Sequence, residues 1–186
     1  ARDRALVAAL AGAGLRASEL CSLEVGDFLV EHTPLLKVAG KGGRERRVPV
    51  AAEVAAAVEG YLAERAARLG PLSSADRLFV RAGGEPMTRQ GLNHHVRAWL
   101  ARAGVPKPQG EAAHAFRHTY AKGLVARGVP LAAVQALLGH ASLQTTGVYL
   151  RMTGAELTDA AQAAEVRDAL RATAPAGGTA GRPAPV

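Results

Sequence analysis

Apolar residues recur at helical spacing along most of this chain. In "RDRALVAALAGAGL" Leu6, Val7 and Leu10 fall on one face, and the pattern stops at Gly12 or Gly14, which predicts a helix closed by glycine. "RASELCSLEVGDF" opens a short second helix. The period then changes. Leu36 and Val38, then Val48 and Val50, flank a glycine-rich centre, the pattern of an antiparallel hairpin. Helical spacing returns over 51–69, with Val54, Val58, Tyr61, Leu62 and Leu69 as its stripe. "RLFV" reads as a short strand, and 88–103 as a helix with Leu92, Val96, Trp99, Leu100 and Ala103 aligned. Further helices are predicted over 115–127, 130–138 and 142–150; Pro130 suits the first turn of one and Gly128 the end of the one before. An alanine-rich helix over 155–172 closes the pattern, and the Pro/Gly-rich tail 173–186 is expected to be disordered. The fold class is mostly α (α+β), one domain over 1–172 with a small antiparallel sheet near 35–50.

Composition narrows this picture. The chain has 186 residues, 48% of them apolar but only 4% aromatic, so its core must be built from Leu, Val and Ala. A single cysteine, Cys21, cannot form an internal disulfide, which suits a reducing, cytoplasmic setting. The net charge of +7 points to a polyanionic partner, nucleic acid ahead of an anionic membrane. No apolar run approaches the roughly 20 residues of a membrane span, and neither a leader nor a membrane partner is expected.

Several polar residues stand where a helix or turn should be bland. Arg16 lies at a helix junction in "GLRASEL", and Lys41 lies at the hairpin tip with Arg44, Arg46 and Arg47 nearby. In "HAFRHTYAKGL", His114 and Arg117 are one helical turn apart and share a face, among Ala115, Phe116, Tyr120 and Leu124. His140 follows Gly139 in "ALLGH", and Tyr149 ends "SLQTTGVYL". Each has an ordinary structural reading: Tyr149 as a packing tyrosine, Arg16 as a capping or surface arginine, His140 as a cap, the hairpin arginines as a solvated edge. His114 and His118 stand at i and i+4, a spacing that suits zinc, so a metal-dependent hydrolase on His114, His118 and His140 is one alternative. Against it, no Glu follows His114 and Arg117 between the two would repel a cation. No metal is expected, and His118 reads as a buried hydrogen-bonding residue. His95 reads as a core-edge histidine and His32 as a loop residue.

Together, "GLRASEL", "GKGGRERRVPV", "HAFRHTYA" and "LLGHASLQTTGVYL" resemble the catalytic domain of the tyrosine recombinase, or phage integrase, family. The resemblance runs from about residue 2 to 170. It implies a helical catalytic domain, double-stranded DNA as partner, and strand cleavage and rejoining with neither metal nor nucleotide cofactor. By motif, it implies that Arg16, Lys41, His114, Arg117, His140 and Tyr149 are the catalytic set, with Tyr149 as nucleophile. Glu19, three residues beyond Arg16, matches a supporting acidic position. Arg44, Arg46 and Arg89 are expected as DNA contacts. The chemistry suits these residue types, because guanidiniums stay charged and present a planar fork to phosphate oxygens. Two departures stand out: Ala115 where relatives often carry Asp, and "GVYLRM" after the tyrosine position. The resemblance also implies an amino-terminal DNA-gripping domain, which this sequence does not include, hence weak, salt-dependent DNA binding. Self-association as a tetramer on DNA, with exchange of the carboxy-terminal helix, is implied too. Alternatives within DNA chemistry are a catalytically silent DNA-binding module and a type IB topoisomerase-like relaxation.

Overall fold

The computed structural model describes residues 1–30, 32–40, 45–106, 108 and 110–139. Lys41, Arg44, His140 and Tyr149, the helices predicted over 142–150 and 155–172, and the tail 173–186 lie outside the described residues. The elements run α1 (Arg2–Ala13), α2 (Ala17–Ser22), a short 3-10 turn (Val25–Asp27), β1 (Phe28–Leu29), β2 (Leu35–Ala39), β3 (Glu45–Pro49), α3 (Ala52–Leu69), α4 (Arg89–Arg102), α5 (Ala112–Ala126) and α6 (Leu131–Leu138). The mostly helical reading with one small antiparallel sheet is what the chain forms.

α1 is the central helix, packed on α3 and on α5. The one-faced reading of it is too narrow: Ala5 through Leu10 are all buried, and Ala13 with them. Four alanines among these positions keep the helix slim enough for neighbours on opposite sides. Gly14 closes it in the left-handed region at φ 58°. A β-carbon there would come within 2.2 Å of Tyr120 Cδ1 on α5, so both the backbone and the packing require glycine.

The sheet is antiparallel in the order β1-β2-β3, with Leu36 opposite Val48 and Val38 opposite Arg46. Leu36, Val38 and Val48 face the core. β1 was not legible, because two residues carry no period. "RLFV" is not a strand of the sheet. Leu78, Phe79 and Val80 are buried, but Arg77 and Val80 make only isolated bridges, to Glu24 and Pro86.

On α3, Val54, Val58 and Tyr61 are buried as expected, while Leu69 is exposed at the helix end. The buried member of that last stretch is Arg65, whose guanidinium donates to the Arg77 and Leu78 carbonyls. On α4, Leu92 and Val96 are buried, Trp99 and Leu100 half-buried, and Ala103 exposed just beyond the helix. His95 stacks on Trp99 with centroids 5.9 Å apart, the core-edge placement expected of it. His32 is exposed in the connection before β2. A second, smaller apolar cluster joins Ala121, Val134 and Leu138, with Tyr120, Leu124, Val125 and Val129 against it. This cluster holds α6 to the second half of α5, while the first turn of α5, with Ala112 and Ala113, belongs to the main core.

Candidate active site

The site forms where α2, β3, α5 and α6 meet. Arg16 is the residue before α2, and its extended backbone lets its N–H donate to Glu19 Oε2 at 2.8 Å. Its guanidinium turns the same way: Nη1 donates to Glu19 Oε1 at 2.8 Å. The Arg16 side chain remains 42% exposed, whereas that of Glu19 is 6% exposed. One face of Arg16 is therefore held and the other is open to solvent.

Arg117 lies one turn after His114 on α5 and is 2% exposed, the largest fully buried side chain described. Its Nη1 donates to the Gly14 carbonyl at 2.7 Å, and its Nη2 donates to the Leu138 carbonyl. Nη1 also stands 3.8 Å from Glu19 Oε2. Burying a charge this deeply demands both hydrogen-bonding partners and a counter-charge, and Arg117 has both.

Arg16 and Arg117, 101 positions apart in the chain, thus meet at the same two groups. Both lie against Glu19, and both reach the Leu138 carbonyl, Arg16 at 3.5 Å. Arg16 Nη2 also reaches the Gly139 carbonyl at 3.5 Å. The last carbonyls of a helix have no partner inside it and form the negative end of its dipole, so guanidiniums gather there favourably. The convergence places three guanidiniums against one carboxylate, a net positive cup at the end of α6, immediately before His140 in the chain.

The third guanidinium belongs to Arg46. Arg46 was expected among DNA-facing residues of the hairpin. Instead its side chain is 13% exposed and turned inward. Nη1 and Nη2 donate to Glu19 Oε1 and Oε2, each at 2.9 Å, and Nε donates to the Leu137 carbonyl at 2.8 Å. The signal for this was present: residues 46 and 48 of β3 share a face, and Val48 faces inward. Arg47, one residue on, is exposed.

Burial alone would push the Glu19 carboxyl up. Hydrogen bonds from the Arg46 guanidinium and the Arg16 backbone, with the Arg46 charge, outweigh it and hold the group below the usual carboxylate range. Glu19 is therefore charged at neutral pH, facing Arg16, Arg46 and Arg117.

His114 is exposed on the first turn of α5, its N–H donating to the Glu111 carbonyl at 3.0 Å. His118 is half-buried one turn on; burial, then the charges of Lys122 and His114, push its imidazole down and favour the neutral form. Arg89 begins α4 on the surface and pairs with Glu111 at 2.8 Å. Cys21, half-buried on α2, has its thiol pushed up to about 11 by burial, so it is a poor nucleophile.

Residues 1–156 match the Phage integrase family. The chain belongs to that family. As a phage integrase family member it is 41% identical over 167 residues to tyrosine recombinase XerC of Methylobacterium nodulans, covering 90% of this chain and 50% of the relative. It is 34% identical over 169 residues to XerC of Myxococcus xanthus, covering 89% and 55%. Among solved structures, this family member is similar to XerA recombinase at TM-score 0.74 and 29% identity, over 88% of this chain and 58% of that one. It is also similar to XerH site-specific recombinase bound to difH substrate in a pre-cleavage complex, at TM-score 0.71 and 30% identity, over 86% and 46%. The chain spans about half the length of the curated relatives it matches. Among the described residues, no helix is long and apolar enough to cross a membrane.

Proposed function

We propose that this chain is the catalytic domain, over residues 1–172, of a site-specific DNA recombinase that cuts and rejoins double-stranded DNA through Tyr149. The observation that carries the reading is the convergence of Arg16 and Arg117 on Glu19 and the Leu138 carbonyl. Two guanidiniums so held suit the non-bridging oxygens of one phosphodiester. Those oxygens gather charge as phosphorus becomes pentacoordinate, and donors fixed in advance stabilise that charge most. The net charge of +7 favours the same polyanionic partner.

In this mechanism Tyr149 Oη attacks phosphorus and loses its proton, with His114 assisting the transfer or holding the phosphate. The bond from phosphorus to the 5′ oxygen breaks as the 3′-phosphotyrosyl bond forms. Lys41 supplies the proton that the departing 5′ oxygen takes. Arg16, Arg117 and His140 hold the phosphate throughout. The ester conserves the bond, so the 5′ hydroxyl of another strand can displace the tyrosine without ATP. His118 serves the site as a neutral hydrogen-bonding residue, and Arg44 and Arg89 contact DNA. The active assembly is a tetramer on DNA, with exchange of the carboxy-terminal helix between protomers, acting in the cytoplasm.

The test uses a nicked duplex whose cleaved end diffuses away and leaves the adduct trapped. The chain is expected to become covalently attached to DNA, seen as a shifted band on a denaturing gel, and Tyr149→Phe to abolish the band. A wild-type chain that binds the duplex but forms no adduct would instead be a silent DNA-binding module.

A further inference from the structure

Arg46 joins three separate elements by one side chain. From β3 its fork grips both oxygens of Glu19 on α2, and its Nε caps the Leu137 carbonyl at the end of α6. The fit is close: a β-carbon on Gly139 would stand 2.9 Å from Arg46 Nη1. Glu19 is in turn the partner of Arg16 and the counter-charge of Arg117. β3 is also the strand that leaves the connection containing Lys41.

We infer that Arg46 is a positioning residue for the strand-cleaving site: it fixes Glu19 and the end of α6, and through them the converging Arg16 and Arg117, a role that rests on the reading proposed above. A free carboxylate between Arg16 and Arg117 could swing toward either and draw it off the phosphate. Gripped at both oxygens, Glu19 can only hold Arg16 by one edge and leave the other edge for substrate. Lysine cannot replace this grip. Its single ammonium can meet one oxygen or the Leu137 carbonyl, but it lacks the planar fork that meets all three acceptors at once.

The test measures the rate of adduct formation on the nicked duplex against DNA and salt concentration. It compares wild type with Arg46→Met, Arg46→Lys, Glu19→Gln and the Glu19→Gln/Arg46→Met double variant, each below its melting temperature. Arg46→Met is expected to slow the reaction at saturating DNA by about 10- to 100-fold, the scale of lost supporting contacts, with the salt slope of binding unchanged. Arg46→Lys is expected not to restore the rate, and the double variant to react no more slowly than its slower parent by more than about threefold. An active wild type whose Arg46→Met form keeps its saturated rate, binds DNA more weakly and loses about one from its salt slope would make Arg46 a phosphate contact and overturn the inference. If Arg46→Met does not fold, Arg46→Lys decides: full activity overturns the inference. A wild type that forms no adduct overturns the strand-cleaving reading itself, and the positioning role with it.

Discussion

Glu19 shows how much one residue can organise. It is buried, charged, and shared by Arg16, Arg46 and Arg117. Because its folded carboxyl titrates below the ordinary value, the unfolded chain takes the proton more readily than the folded one. Its stabilising contribution is therefore complete above the ordinary carboxylate range and is lost as pH falls through the lower, folded value. Glu19→Gln is expected to destabilise the chain by about 3 kcal/mol at pH 7, the scale for breaking a buried ion pair. The gap from wild type should narrow in acid, and denaturant titrations from pH 7 to pH 3 check it. At this scale residue type and motif singled out Arg16, Glu19 and Arg117, which meet at the cup, and His114, which stays exposed one turn before Arg117. The inward placement of Arg46 was not legible, because four basic residues near a turn read as one solvated cluster. Strand alternation separates them, sending Arg46 inward and Arg47 outward.

At the scale of elements, the junction between α1 and α2 is the hinge of the design. Gly14 ends α1, offers its carbonyl to Arg117, and lets the chain turn so that Arg16 can open α2. Gly14→Ala is expected to lose about 1–2 kcal/mol from the left-handed backbone alone. The contact with Tyr120 adds to that loss. Gly60→Ala is the control: that glycine is inside α3, exposed, with nothing within 4 Å of a β-carbon, so alanine should raise stability by about 0.5–1 kcal/mol. Unfolding midpoints in urea check both. Long elements were legible because burial writes a period into them. β1 was not, being only two residues, and neither was the full burial of α1, since alanine marks a close-packed face as readily as a neutral one. The end of α6 is a further case. Nothing local marks three consecutive carbonyls as acceptors for guanidiniums from α5, β3 and the residue before α2.

At the scale of the molecule, a family member covering about half of its curated relatives' length brings together an arginine pair from opposite parts of the sequence. On the proposed function, attraction to DNA comes from the basic charge of the chain at large, whereas acceleration of strand cleavage comes from this cup. Arg16 is the residue that separates the two effects. Its side chain is 42% exposed, so removing it does not empty the core, as removing Arg117 would. The decisive measurement is the single-turnover rate of covalent attachment to a nicked duplex at saturating DNA, for wild type and Arg16→Ala. If the phosphate is held in this cup, the variant folds, binds DNA and reacts more than about 100-fold slower. A variant that reacts within about threefold of wild type would contradict it, because the phosphate would then not be held where the arginines converge.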